Sequence, residues 1–432
     1  MSKNFLKKTL IALLALEARL VIRKYQPRII GVTGSVGKTM VKDAIFCVLK
    51  DLPGGVAKSQ KSFNSELGVP LSILRAENAW GNVAGWLKNL IEGLALIIFR
   101  YPYPKWLVLE VGIDRPGDML RSLRGIKLDV AVITRLPELP VHLELFNNKE
   151  DVAKEKLKIL KALKTSGFVV ANGDDEKIRI ALSVTNKKII YYGYHEGANY
   201  LISNEHLLYN DNTYWPLGMT FKINFGGSSL PVRAKVFSKE QVLGLAPALV
   251  LANENNLEML KAIEALDNYH LPPGRLQPLK GTKDTIIFDD TYNSSPTALE
   301  SALIMLSNLR VLGRRIVVLG DMMELGAYTM EAHRNAGIMA SNLCNIIIGV
   351  GMRAKFIVDE AVKKRFGKRK TAHFIEAGEA GKYLERLLKP GDVVLVKGSQ
   401  SMRLERIVEE VLAEPDRAHE LLCRQESEWK KR

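Results

Sequence analysis

Gly31-Val32-Thr33-Gly34-Ser35-Val36-Gly37-Lys38-Thr39 is the stretch on which the reading of this chain turns. A glycine-rich turn ending in Lys-Thr is built to hold phosphate. Its glycines let backbone N–H groups face the oxygens at a helix N-terminus, the lysine reaches the terminal phosphates, and the threonine hydroxyl is a Mg²⁺ ligand. The flanks agree: Arg28-Ile29-Ile30 with Val32 suits a buried strand, and Met40 to Leu49 carries apolar residues at helical spacing. Gly34, Ser35 and Gly37 are therefore the expected cradle, with Lys38 and Thr39 at the phosphates. A strict P-loop would have glycine at 32, where valine stands. A bare strand-to-helix turn needs the glycines but not the Lys-Thr pair.

With 432 residues, 47% hydrophobic and 25% charged, the chain has the composition of two or three globular domains. Cys47, Cys344 and Cys423 are scattered, with neither a disulfide framework nor a zinc spacing, which favours a reducing, cytoplasmic compartment. A net charge of +15 calls for an anionic partner. No basic run is interleaved with aromatics, so nucleic acid is not the expected one. Residues 1–26 read as a basic amphipathic helix in which Lys7, Lys8, Arg19, Arg23 and Lys24 oppose the single acid Glu17. Its apolar run breaks at Glu17 and Arg19, too early to span a bilayer. Trp80 to Phe99 forms a second apolar helix, also too short and too charged to span. Either the two helices cover each other as a satellite core, or residues 1–25 and 80–99 make a peripheral membrane contact; the flanking basic residues favour the second.

Strand-like runs at Trp106–Val111, Asp129–Thr134, Gly167–Ala171 and Lys188–Tyr192 alternate with helical stretches, which predicts an α/β fold with a mostly parallel sheet. Between Tyr200 and Val236 the pattern changes to antiparallel hairpins. The proline pair in Leu271-Pro272-Pro273-Gly274-Arg275 reads as a linker, followed by a fresh series at Thr285–Phe288, Arg315–Leu319, Asn345–Val350 and Val393–Val396. The expected organisation is an N-terminal helix (1–26), a central P-loop domain (27–272) and a smaller Rossmann-like α/β domain (273–432). The charged tail from Arg424 to Arg432 is expected to fray.

Several polar residues fall at strand ends, where open α/β sheets bind ligands. Glu110 and Asp114 follow one strand, and a carboxylate there suits the ion that Thr39 also touches. His142 follows the next, although a lone histidine is more often a hydrogen-bonded loop residue. On a helix from Glu150 to Leu163, Lys156 falls among Val152, Ile159, Leu160 and Leu163. It either snorkels to the helix end or becomes a near-neutral amine able to add CO₂. The second domain offers Asp289-Asp290-Thr291-Tyr292-Asn293, whose acids suit ribose hydroxyls and whose asparagine suits a base edge; Asx capping would explain half of it. Gly320–Gly326, His333 and Lys397-Gly398-Ser399 occupy equivalent strand ends. A cleft between the two domains is the natural meeting place for two substrates.

Taken together, GVTGSVGKT at 31, FNSELGVPL at 63, LEVG at 109, HLELF at 142, VAKEKLKIL at 152, PPGR at 272, DDTYNSSP at 289, GDMMELG at 320 and VKGS at 396 resemble the Mur ligase family over roughly Pro27 to Leu412. These are the ATP-dependent amide-bond-forming enzymes of peptidoglycan precursor synthesis, and the nearest branch adds D-alanyl-D-alanine. The resemblance implies ATP with Lys38 and Thr39 at its phosphates, and Glu110 with Thr39 on a first Mg²⁺. It implies His142 at a second Mg²⁺, a carbamylated Lys156, and Arg275 at the ATP phosphates. Asp290 would meet the ribose and Asn293 the adenine, with Asn64, Ser65, Lys397 and Ser399 on the substrate side. The implied partners are a peptidoglycan precursor and an amino acid or dipeptide, joined through an acyl phosphate.

The sequence departs from the family in three places. Only the basic helix precedes the P-loop, where the family has a domain for the uridine nucleotide of the acceptor. The central helix with the family's His-Asn pair reads here Glu240-Gln241-Val242-Leu243-Gly244, and Trp80–Phe99 is an apolar insertion. Two other readings therefore stand beside the first: a ligase for a lipid-linked or other non-UDP acceptor, and a non-catalytic ATP-binding switch at a membrane surface.

Overall fold

The computed structural model describes residues 3–60, 63–140, 143–364 and 366–430. Helix α1 (Lys3–Tyr25) leads into β1 (Arg28–Thr33), the glycine turn and α2 (Lys38–Leu49), followed by β2 (Val56–Lys58), α3 (Gly68–Leu74) and α4 (Val83–Ile98). Then come β3 (Trp106–Glu110), β4 (Leu128–Ile133), β5 (Leu163–Asn172), β6 (Ile189–Gly193), β7 (Tyr200–Tyr209), β8 (Pro216–Phe225) and β9 (Ser228–Ala234). Among the described residues these make one nine-stranded sheet in the order β2-β3-β1-β4-β5-β6-β7-β8-β9. It is parallel from β2 to β7, with β8 and β9 added antiparallel. The α/β reading with added hairpins is thus correct.

Strand β1 lies inside this sheet, and its residues are apolar in both directions because both faces are covered. Ile30 and Val32 pack with Val41 and Ile45 of α2 and with Leu245 of the buried helix Lys239–Glu254. Ile29 points the other way, to Leu14 and Val21 of α1 and Leu71 of α3. The glycine turn is thereby fixed from two layers.

The second sheet contains β10 (Gln277–Gly281), β11 (Thr285–Asp290), β12 (Arg315–Gly320), β13 (Ile346–Val350), β14 (Thr371–Phe374) and β15 (Val393–Lys397), ordered β10-β11-β15-β12-β13-β14. Among the described residues, β10 alone is antiparallel to its neighbour. One continuous apolar cluster joins the sheets, with Phe237 packed edge-on against Phe288 of β11.

Three expectations need correction. The helix expected to reach Leu163 ends at Leu157 and tightens into a 3₁₀ turn over Lys158–Ala162, because Leu163 pairs with Leu128 and opens β5. The short edge strands β2, β10 and β14 were not expected at all. The tail does not fray at Arg424: its guanidinium is buried against Glu405 (2.6 Å) and donates to the carbonyls of Thr291 (2.6 Å) and Tyr292 (3.1 Å). Beyond it, Trp429 meets Trp80 edge-on with ring centres 6.2 Å apart.

Helices α1 and α4 pack together, as one of the two sequence readings required. Lys24 Nζ caps the end of α4 by donating to the carbonyls of Leu96 (3.0 Å), Ile97 (2.9 Å) and Phe99. Among the described residues no helix is long and apolar enough to cross a membrane.

Candidate functional site

The glycine turn is held from the neighbouring strand end. Thr134 Oγ donates to Val36 O (2.6 Å) and Ser35 N donates to Arg135 O (2.8 Å). Gly34 tolerates no side chain, since a Cβ there would lie 1.9 Å from Thr134 Oγ1. Gly37 caps α2 in the left-handed region (φ +83°), which favours glycine. Lys38 Nζ folds back onto Gly34 O (3.0 Å). Burial lowers the Lys38 pKa; Glu110 and Asp114 oppose that shift and Arg275 adds to it.

The turn forms one wall of a cavity of about 430 Å³ whose lining comes from both sheets. From the first come Ser35, Gly37, Lys38, Thr39, Asn64, Glu110 and Asp114. Glu110, 1% exposed, closes β3; its Oε1 accepts from Asn64 Nδ2 (2.8 Å), and its Oε2 lies 3.9 Å from Lys42 Nζ. Glu110 Oε2 and Ser35 Oγ are buried without a hydrogen-bond partner among the described residues. Arg275, in the predicted linker, spans the two halves: it donates to Thr39 Oγ1 (3.3 Å) and stacks on Tyr292 (4.0 Å).

Lys156 is 2% exposed. The helix ends one residue later, so the amine has no route to water along its own helix, and snorkelling is excluded. Desolvation holds its pKa well below the usual lysine range; the charge of Lys38 pushes the same way, and Asp114 opposes both. Those surroundings favour the neutral amine over the ammonium.

The opposite wall comes from the second sheet. Asp290 and Lys397 are the last residues of β11 and β15 and stand in register. Lys397, 2% exposed, donates to Asp290 Oδ2 (2.6 Å) and to Asn293 O (3.0 Å). Asp290, Asn293 and Lys397 all line the cavity. Ser399 does not: its buried hydroxyl accepts from Met323 N (2.9 Å) and fixes the 320–326 loop. Ser65 is also outside the lining, and its Oγ accepts from Gly68 N (3.3 Å) at the start of α3. His142 lies outside the described residues. His333 is a positioning group, accepting from Met322 N (2.9 Å) and bonding Thr329 O through its other nitrogen (2.6 Å).

Sequence reasoning missed Lys42 and gave Gln241 no role. Lys42 is buried, 3.5 Å from Asp43 Oδ1, and its spacing from Lys38, Ile45 and Leu49 on one helix face was the available signal. Gln241 accepts from Phe237 N (2.7 Å) and donates to Arg275 O (3.0 Å), so it steadies the arginine. Glu240 pairs with Arg135.

Among the described residues no group of three or more His, Cys, Asp or Glu forms a metal cage. Mg²⁺ needs none, since it is commonly held by one or two protein oxygens together with phosphate and water. The Thr39 hydroxyl and the orphaned Glu110 Oε2 are oxygens of that kind.

Two family models match, the Mur ligase middle domain over residues 93–250 and the Mur ligase glutamate ligase domain over 274–400. The chain belongs to the Mur ligase family. It is accordingly an ATP-dependent amide ligase, of the MurF-like kind. The chain is 28% identical over 409 residues to the UDP-N-acetylmuramoyl-tripeptide–D-alanyl-D-alanine ligase of Bacillus subtilis, covering 94% of this chain and 80% of that one. The enzyme of that name from Haemophilus influenzae is 26% identical, with 93% and 80% covered. The MurF ligase of Thermotoga maritima, solved with ADP, superposes with a TM-score of 0.75 at 26% identity, covering 93% and 83%. Family membership sets aside the non-catalytic switch.

Proposed function

We propose that this ligase phosphorylates a carboxylate of a peptidoglycan precursor and joins it to D-alanyl-D-alanine or a similar amine, on the cytoplasmic side of the cell. The observation that carries the reading is the cavity between the sheets, where Lys38, Thr39, Glu110 and Arg275 face Asp290, Asn293 and Lys397. The proposed domains divide the work, 27–272 holding phosphates and acceptor and 273–432 holding the nucleoside and the incoming amine.

In this reading the 34–39 turn and Arg275 hold the ATP phosphates, Asp290 meets the ribose and Asn293 the adenine. A carboxylate oxygen attacks the γ-phosphorus, ADP leaves, and an acyl phosphate forms. The amine nitrogen then attacks the acyl carbon, phosphate departs with its bridging oxygen, and the nitrogen loses a proton to give the amide. Lys38 and Arg275 stabilise the charge that builds on the phosphoryl oxygens. The walls from two sheets keep water from the acyl phosphate. Asn64 holds Glu110 in place, and Lys397 shifts between Asp290 and the reacting groups; Ser65 and Ser399 act through the loops they brace. Thr39 and Glu110 are the residues proposed to hold Mg²⁺, which supplies charge neutralisation on the phosphates. His142 would serve a second ion. Lys156 would take up CO₂, its nitrogen bonding to carbon as one proton leaves, so that a buried amine becomes an oxygen ligand.

The apolar surface of α1 and α4 favours a second reading in which the acceptor is lipid-linked. Phosphate release separates the two. The first predicts turnover only when UDP-N-acetylmuramoyl-tripeptide and D-alanyl-D-alanine are both present. Turnover only with a lipid-linked precursor would move the acceptor to the second reading, and tight ATP binding with no turnover on either would refute both.

A further inference from the structure

The packing of α1 against α4 leaves a face that the ligase reaction does not use. On α4, Val83, Leu87, Ile91, Leu94 and Ile98 are all exposed, 48–81%. Their spacing of four, four, three and four residues puts them on one side of the helix, opposite the buried Asn89 and Gly93. On α1, Phe5, Leu6, Leu13 and Leu16 are exposed, while Leu14, Ala18 and Val21 turn inward. Trp80, Phe99 and Tyr101, also exposed, stand at the two ends of α4. An apolar surface of this extent on a folded chain marks a contact with something else.

The charges around it indicate what that is. Exposed Lys7, Lys8 and Arg23 lie on α1, and exposed Arg100 follows α4. The exposed acid of these two helices is Glu92, which pairs with Lys88 at 3.7 Å; Glu17 is buried. A second copy of the chain seated here would bring like charges together. A bilayer with anionic headgroups complements them, with aliphatic side chains at acyl depth, aromatics at the headgroup level and cations at the phosphates.

We infer that α1 and α4 form a monotopic docking face that seats this ligase in the plane of an anionic membrane surface. The face binds lipid whichever acceptor the enzyme uses, so its test requires no turnover.

The full-length chain is sedimented with vesicles of phosphatidylcholine, with and without about one third phosphatidylglycerol. It should pellet with the anionic vesicles and be released by high salt. Leu87→Ser with Ile91→Ser should weaken binding by at least about 100-fold, as expected for two aliphatic side chains no longer buried in lipid. Lys7→Gln with Lys8→Gln should weaken it about tenfold. Both substitutions are on exposed positions, and unchanged thermal melts certify the fold. The inference is overturned if the chain stays in solution with anionic vesicles, or if the serine variant pellets like the parent. It is equally overturned if the parent is a dimer that the serine variant dissolves while neither form binds vesicles.

Discussion

The carboxyl ends of the two sheets both bury lysines, and they treat them differently. At the first sheet, Lys38 and Lys156 form no ion pair among the described residues, and burial lowers the pKa of both. At the second, Lys397 is as buried as Lys156 yet sits 2.6 Å from Asp290. A desolvated amine without a contacting anion is disfavoured in its charged form, and an arriving anion offsets that cost. In the proposed function this first end would receive the phosphates at Lys38 and CO₂ at Lys156. The second is internally satisfied, and in the proposed function Lys397 would exchange a partner before meeting substrate.

Substitutions that break this contrast should differ in kind as well as size. Lys38→Ala should lower ATP-dependent turnover about 10³-fold, as loss of a preorganised charge at a transferring phosphoryl group does. Steady-state phosphate release checks it, with melting unchanged or improved because a desolvated charge is gone. Lys156→Ala should cost about 10²-fold, the range for a group that orients a bound ion. Formate or acetate should restore part of that activity while added CO₂ does not; full activity in the variant would remove the carbamate from the proposal.

At the second sheet end, stability should respond instead. Lys397→Met leaves Asp290 without its partner and should destabilise the protein by about 2 kcal/mol, read by denaturant unfolding. Adding Asp290→Asn should recover much of the loss. Equal losses in both variants would mean that the pair is not coupled.

The smallest effect concerns a buried acid. Burial raises the Glu17 pKa to about 7, and one of its oxygens, beside Gly93 of α4, has no hydrogen-bond partner among the described residues. A carboxyl whose folded pKa is raised stabilises most when protonated. The contact of α1 with α4 should therefore weaken as pH rises from the unfolded value of 4.5 towards 7, then level off. Glu17→Gln should flatten that dependence, as measured by hydrogen exchange in α1 at pH 5 and pH 8.

Much of this was legible in the sequence because the signals were local. The glycine turn, the apolar strands beside it and the change to hairpins after Tyr200 depend on neighbours within a few residues. Lys156 was not decidable in that way. A helical wheel showed its apolar face, but its burial depends on where the helix stops, and that is set by Leu163 pairing with Leu128 in another strand. The Asp290–Lys397 pair was similarly hidden, since its partners are brought together by the register of β11 and β15 across more than a hundred residues. Ser65 and Ser399 carry motif positions yet brace loops, a distinction visible only in where their hydroxyls point. The edge strands β2, β10 and β14 are too short to show a period of two, and pairing with their neighbours defines them.

The central claim is that this cavity transfers the γ-phosphoryl of ATP to a carboxylate before the amide forms. Labelling the acceptor carboxylate with ¹⁸O tests it most directly, with mass spectrometry of the phosphate released during turnover. Transfer through an acyl phosphate places one labelled oxygen in each phosphate, in step with amide formed. Amide formation with unlabelled phosphate would contradict it.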